Sequence, residues 1–523
     1  MRGEVRRIAP ALALALVAGA LLRFATLDVQ SLWYDEAVTA ELLRMHLGGL
    51  LHTISAGEST PPLYYVLAWL WTHAFGTGEV GLRSLSALLG TVTIGVVWAL
   101  GRRLGGDRGG LMAAALVAVN PMLVWFSQEA RAYALLVALA ALAALLWLRA
   151  LEQPRAGRAA AWSVVAALAV ATHYYAIFLV APQALWLALR APSVRARAAA
   201  LGPLAVAVAA LAPLALAQRA NDSAAFIRDS PLLTRLAQVP KQLLVGYDAP
   251  AETLLAVLSM LVLLVAAGGL ASLLAPDPSG PVEAREHARD PSGLVRAREL
   301  APDPAPPAEA RDRRADALRL AALGAIALAL PVLAALLGED HLITRNLLAL
   351  SPLCAALGGA GLARLELLRA PLGTAALACA CVLGVVAVVG VALDPRSQRD
   401  DWRGAVRALG SAPGERLIVA SPASAPAPLR YYLPAARPLA GPAALTSEID
   451  YVALSERRPG QRPAPPRPAQ PPIPAPGFAL VAGARTETFT VLRLRAAAPQ
   501  AVPRTAVAAG LDGKPPALLV YTR

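Results

Sequence analysis

Charge is what this 523-residue chain has least of: Asp, Glu, Lys and Arg together make up 16% of it, against 57% hydrophobic residues. Mean hydropathy is +0.53. So low a charged fraction over so long a chain excludes an ordinary soluble protein and implies an integral membrane one. Cysteine is scarcer still. Cys354, Cys379 and Cys381 all lie in apolar runs, with no spaced set that would build a disulfide framework or a metal site, so they read as small buried apolar residues. A strand-to-helix glycine fingerprint for nucleotides is also missing, because GRRLGGDRGG follows an apolar run and reads as a turn between spans. Polar groups are lacking at the middle of the apolar runs, and internal repeats are lacking too. Both absences count against a solute carrier.

What is present is a series of apolar runs close to the ~20 residues that cross a bilayer. They fall at 8–27, 82–101, 109–126, 130–148, 159–173, 174–189, 198–217, 252–275, 318–337, 345–363 and 371–393. The first has no small-residue cleavage site and carries Arg23 near its end, so it is expected to stay as an anchor. Arginines mark the inner side. Arg2, Arg6 and Arg7 put the N-terminus in the cytoplasm, and alternate connections then carry Arg102, Arg103 and Arg108, Arg149, Arg155 and Arg158, Arg190, Arg195 and Arg197, and Arg364 and Arg369. This register needs PPLYYVLAWLWTHAFG to lie along the outer interface rather than cross. The net charge of +13 is then an arginine excess set by topology, not a nucleic-acid surface.

The expected organisation is an all-α polytopic domain over 1–393, with residues 28–81 as a first external loop and 276–316 as a mobile cytoplasmic loop rich in Pro, Ala and charge. Residues 394–523 read as a small α/β domain outside the membrane, with a Pro-rich insert at 456–476. Its strand-like runs are RLIVA, IDYVAL, FALVA, TFTVLRLR and ALLVY, and a helix is expected near APAPLRYYL. No stretch of this domain carries a chemical motif.

Polar clusters gather at the external ends of the runs. Residues 28–60 hold Asp28, Asp35, Glu36, Glu41 and Glu58, and the other external ends bring Glu129, Arg131 and Tyr133, then His173 and Tyr174, then His341 and Arg345. An acidic loop alone would be a solvated loop. Clusters confined to one side place chemistry at that surface.

The motifs LWYDEA, TPPLYY, RSLSALLG, SQEARAYALL, THYYAIFL and TRNLLALSP, in that order over residues 28–365, resemble the polytopic GT-C glycosyltransferases. This group includes protein O-mannosyltransferases, aminoarabinose transferases and their bacterial relatives. The resemblance implies a multi-pass plasma-membrane enzyme with an extracytoplasmic C-terminal domain. It would move a sugar from a polyprenyl-phosphate donor to a lipid, glycan or protein acceptor hydroxyl by an inverting displacement. Asp35 matches the family's catalytic Asp, with Glu36 beside it fixing the loop or contacting substrate. Arg131, and Arg345 on the same logic, would hold the donor phosphate. Tyr34, Glu58, Glu129, Tyr133, His173, Tyr174 and His341 are candidate substrate contacts. His173, His341, Glu58 and Glu129 carry donor types suited to a divalent ion, although the chemistry does not require one and Thr60 stands where relatives carry His before Pro61-Pro62. A lipid-linked-saccharide flippase or transporter, or a non-catalytic membrane subunit that binds a partner, is the alternative.

Overall fold

Apolar runs in a bilayer can satisfy their backbone groups locally only as α-helices, and the chain is helical up to Leu393. The structure, a computed structural model, describes residues 2–220, 225–275, 308–369, 371–411, 414–455, 476–511 and 513–521. The helices are α1 (Arg2–Phe24), α2 (Tyr34–Leu43), α3 (Leu47–Gly57), α4 (Leu63–Phe75), α5 (Glu79–Val119), α6 (Pro121–Ser127), α7 (Tyr133–Glu152), α8 (Ala156–Thr172), α9 (Ile177–Arg190) and α10 (Val194–Arg219). There follow α11 (Leu232–Val245), α12 (Glu252–Leu274), α13 (Ala308–Leu336), α14 (Ser351–Leu368) and α15 (Leu372–Leu393). Among the described residues, seven helices are long and apolar enough to cross a membrane, and three shorter apolar ones are Ile8–Phe24, Ala156–Thr172 and Tyr174–Arg190.

Helix α5 is two spans in one. Gly105 and Gly106 leave helical geometry, Gly106 at φ +65°, a conformation that glycine adopts without steric cost. The two halves fold back on each other, so the turn expected at GRRLGGDRGG is there and each of the eleven expected runs falls on helix. The run at 109–126 is broken at Asn120, which caps α6 with its side chain. Helix α1 is a working member of the bundle: Arg23 is fully buried and donates to Ala118 O at 2.8 Å and Val117 O at 2.9 Å.

Two expectations need correction. Residues 276–307 of the expected loop lie outside the described residues, but 308–316 begin α13 rather than ending a loop. AEARDRRAD is made of good helix formers continuous with the apolar run behind it, and Asp316 is buried against Arg103, Nη2 to Oδ2 at 2.8 Å. Cys354 and Cys379 are exposed on the flank of the bundle rather than buried among helices. A flank that also exposes Leu264 and Val382 is the surface a bilayer would cover.

The C-terminal domain starts with α16 (Trp402–Leu409) and builds one sheet from β1 (Arg416–Ser421), β2 (Ala436–Pro438), β3 (Ala443–Leu454), β4 (Ala479–Arg485), β5 (Phe489–Pro503) and β6 (Ala517–Tyr521). A further helix, α17 (Pro426–Tyr432), follows β1. The order is β2-β6-β1-β3-β5-β4, with β1 and β3 parallel and the other pairs antiparallel. Every residue of β1 is buried because both faces are covered: Ile418 and Ala420 pack with Trp402 and Leu429 of the two helices, Leu417 and Val419 with Ile449 and Leu494. All five expected strands are present, and β2 was not foreseen. Of the Pro-rich insert expected at 456–476, residues 456–475 lie outside the described residues.

Candidate active site

Asp35 and Glu36 occupy the first turn of α2, where the free N–H groups of a helix start favour negative charge. Adjacent helical residues point about 100° apart, and the two carboxylates part accordingly. Glu36 is fully buried: its Oε1 accepts from Arg83 Nε at 2.7 Å and from Ala130 N at 3.0 Å, and its Oε2 accepts from Arg83 Nη2 at 2.6 Å. The same guanidinium donates to the carbonyls of Leu27, Gln30 and Ser31. Arg83 therefore knots the loop after α1 to α2 and to the segment before α7. Glu36 fixes the loop, and Asp35 is left facing outward with its side chain 21% exposed.

The segment SQEAR between α6 and α7 is clamped residue by residue. Gln128 donates to Leu22 O, Arg23 O and Thr26 Oγ1. Ala130 N is taken by Glu36. Arg131 lies buried with Nη1 and Nη2 on Glu58 at 3.2 and 3.1 Å and Nη1 on Tyr65 Oη at 2.8 Å. Glu129, 1% exposed, is held by one contact, Oε2 accepting from Arg399 Nη2 at 3.2 Å. Burial raises its carboxyl to about 7, against the pull of Arg399 and with a push from Glu36 and Asp35.

A cavity of about 450 Å³ opens beside this segment. Trp33, Trp125, Glu129, Arg235, Arg345 and Arg399 are among its walls. Arg345, in the short 3-10 turn Thr344–Leu350, places Nη1 3.7 Å from Asp35 Oδ2, with both side chains about one-fifth exposed. Arg235 of α11 is paired with Asp340, Nη1 to Oδ1 at 2.9 Å. Besides Arg235–Asp340, four more carboxylate–guanidinium pairs surround the site. Glu36–Arg83, Glu58–Arg131 and Glu129–Arg399 are closed and buried, whereas Asp35–Arg345 is long and open.

The expected residues sort on this geometry. Asp35 and Arg345 meet, and Glu129 lines the cavity with Arg345. Arg131 is not a wall of the cavity. Its Nη1 and Nη2 are engaged by Glu58, Tyr65 and Thr39, which hold the guanidinium against the Glu58–Tyr65 stretch. Glu58 is buried as its partner. Tyr133 packs on Phe126 and His173 at centroid distances of 4.6 and 5.7 Å, and His173 Nδ1 accepts from Tyr175 N. Tyr174 donates to Gln218 Oε1 at 2.8 Å, and Tyr34 is exposed. His341 is partly buried, and its carbonyl accepts from Asn346. His173, His341, Glu58 and Glu129 do not come together: among the described residues no cluster of three or more His, Cys, Asp or Glu could hold a metal ion.

Sequence reasoning missed Arg399, Arg235, Arg83 and the C-terminal domain's share in the site. Arg399 precedes α16, yet its guanidinium lies 4.1 Å from the Trp125 ring centroid and its backbone N–H donates to Gln30 Oε1 at 3.0 Å. The domain is further tied to the first loop by Arg430 on Glu41, Nη2 to Oε2 at 2.9 Å, and by Leu32 N donating to Tyr432 Oη at 2.7 Å.

Residues 59–216 match the model of a family described as dolichyl-phosphate-mannose-protein mannosyltransferase. No curated protein sequence matches the chain significantly. Among solved structures the chain is similar to ArnT from Cupriavidus metallidurans bound to undecaprenyl phosphate, at 14% identity and a TM-score of 0.51 over 93% of this chain and 97% of that one. It is also similar to the oligosaccharyltransferase of Archaeoglobus fulgidus in complex with Zn and sulfate (14%, TM-score 0.40, 72% and 53%) and to the Pmt1-Pmt2 protein O-mannosyltransferase complex of S. cerevisiae bound to the sugar donor (17%, TM-score 0.31, 42% and 34%). The ArnT likeness shows a shared fold, the GT-C architecture of membrane helices with a small C-terminal sheet domain. The chain resembles the GT-C glycosyltransferases of the protein-mannosyltransferase and aminoarabinose-transferase type.

Proposed function

We propose that the chain is a membrane glycosyltransferase that moves a sugar from a polyprenyl-phosphate donor to an acceptor hydroxyl at the outer face of the plasma membrane, with inversion at the anomeric carbon. The observation that carries this reading is the open Asp35–Arg345 pair beside a cavity. A carboxylate and a guanidinium that are close but not locked are free to take the two ends of a displacement, whereas the buried Glu36–Arg83 and Glu58–Arg131 pairs are committed to holding the loops. The matched family and the solved ArnT are both named for lipid-phosphate chemistry, in agreement with this reading.

In the proposed step the acceptor O–H gives its proton to Asp35 as the oxygen bonds to the anomeric carbon. The bond from that carbon to the phosphate oxygen breaks, and its electron pair leaves with the polyprenyl phosphate. Arg345 stabilises the charge that grows on this phosphate, and its fork suits two phosphate oxygens. Holding acceptor and donor in one cavity removes much of the entropic barrier. The acceptor is a membrane lipid, a glycan or a protein hydroxyl, and no nucleic acid is involved.

The test is direct. Purified protein in lipid nanodiscs is given a panel of polyprenyl-phosphate pentoses and hexoses with total membrane extract as acceptor, and release of polyprenyl phosphate is followed by mass spectrometry. Turnover of one donor supports the reading. Uncleaved donor carried across the bilayer of a proteoliposome would replace the transferase with a flippase.

A further inference from the structure

The clamp on residues 128–131 has a purpose beyond packing. Gln128, Ala130 and Arg131 are each fastened to a different element, namely α1, α2 and the Glu58–Tyr65 stretch, and the side chain left to face the cavity is that of Glu129. One of its oxygens takes Arg399. The other, Oε1, is buried and has no hydrogen-bond partner among the described residues. A buried carboxylate oxygen in that state is costly and calls for an explanation. Trp33 Nε1, on another wall of the same cavity, is likewise buried without a partner. An acceptor and a donor, both idle and both on one cavity wall set, match a hydroxyl, which donates one hydrogen bond and accepts others.

We propose that Glu129 is a specificity residue that accepts a hydrogen bond from a hydroxyl of the transferred sugar, and that Arg399, reaching in from the stalk of the C-terminal domain, is its positioning residue. This rests on the glycosyltransferase reading and adds the group that reads the sugar. Arg399 suits the role because three fixtures hold it: the Trp125 ring at 4.1 Å, the Trp125 carbonyl at 3.1 Å and the Gln30 side chain. The C-terminal domain thereby takes part in donor selection without touching the reacting atoms.

A donor-analogue cycle tests it in the full-length protein. The probes are a polyprenyl-phosphate hexose and its monodeoxy analogues, compared in the wild type, Glu129→Ala and Glu129→Gln. For one analogue the wild type should lose tenfold or more in kcat/KM, as expected for a lost hydrogen bond to a charged group. Glu129→Ala should lose about as much on the parent donor and then be indifferent to that same deoxygenation, with Glu129→Gln between the two. Arg399→Met should raise KM for the parent donor while its penalty for the missing hydroxyl shrinks. A wild type inert to every donor removes the glycosyltransferase reading, and this inference with it. An active wild type whose variants lose the same factor on parent and all analogues overturns the inference alone, leaving Glu129 a structural group or the host of a bound water.

Discussion

At Glu36 a carboxylate with no access to solvent is gripped at both oxygens by the Arg83 guanidinium, which also ties three carbonyls of the preceding loop. Removing Arg83 alone strips the buried carboxylate of its bidentate partner and leaves it Ala130 N–H at 3.0 Å and Arg399 Nε at 3.9 Å; breaking a buried pair in this way costs about 3–5 kcal/mol. Arg83→Ala should therefore lower the thermal unfolding midpoint of the purified protein sharply and abolish activity, because the loop that carries Asp35 loses its anchor. Replacing both partners, Arg83→Met with Glu36→Gln, should recover much of the midpoint, since a neutral, well-filled site is far less costly than a broken pair. The LWYDEA motif announced Asp35 from the sequence, but it could not divide the labour between the two adjacent acids. That division depends on Arg83, 47 residues away. Arg131 illustrates the same limit. Its place in the motif was legible and its partner was not, because Glu58 closes on it from a loop 73 residues earlier.

Among the elements, α12 and α14 approach so closely that a Cβ on Gly361 would meet Ala266 O at 2.2 Å. Small residues at such crossings let membrane helices pack backbone to backbone. Gly361→Val should force the pair apart, at the cost of about 1–3 kcal/mol typical of overpacking. Gly95→Ala, at a position with nothing within 4 Å of the added Cβ, should be neutral or slightly stabilising. Thermal unfolding of both variants in one detergent checks the contrast. Helix positions were readable because apolar runs of span length have a single backbone solution in a bilayer. The glycine contacts were not, since the stretch LGGAGL says small and does not say against what. The start of α13 was misjudged for a related reason. Composition marked AEARDRRAD as solvated loop, while its propensity and its buried Asp316–Arg103 pair make it helix.

For the whole molecule, the polar site is built around the start of α2 and the segments before α7 and α14, whereas Arg103 beside the Gly105–Gly106 break, Glu152 at the end of α7, Arg158 at the start of α8, and Asp316 and Arg319 of α13 form a separate ion-pair cluster. If arginines mark the cytoplasmic side, a cysteine at exposed His52 should react with a membrane-impermeant thiol reagent in intact cells. A cysteine at exposed Arg155 should react only after permeabilisation. The reverse pattern would move the site to the inner face. The C-terminal domain was legible as a fold in every described strand but the short β2, yet not as part of the site. Arg399 contacts Glu129 across 270 residues of sequence, and no local pattern records such a contact.

The central claim is that Asp35 takes the acceptor proton while Arg345 holds the departing phosphate, and one comparison tests it most directly. Donor affinity and single-turnover rate are measured together for the wild type, Asp35→Asn and Arg345→Ala, each checked for correct insertion. Asp35→Asn keeps the shape and loses the base, so donor binding should survive while the rate falls about 100-fold or more. Arg345→Ala should lose affinity and rate together, because the phosphate contact serves ground state and transition state alike. An Asp35→Asn protein that turns over at the wild-type rate would contradict the account and return Asp35 to the status of an acidic loop residue.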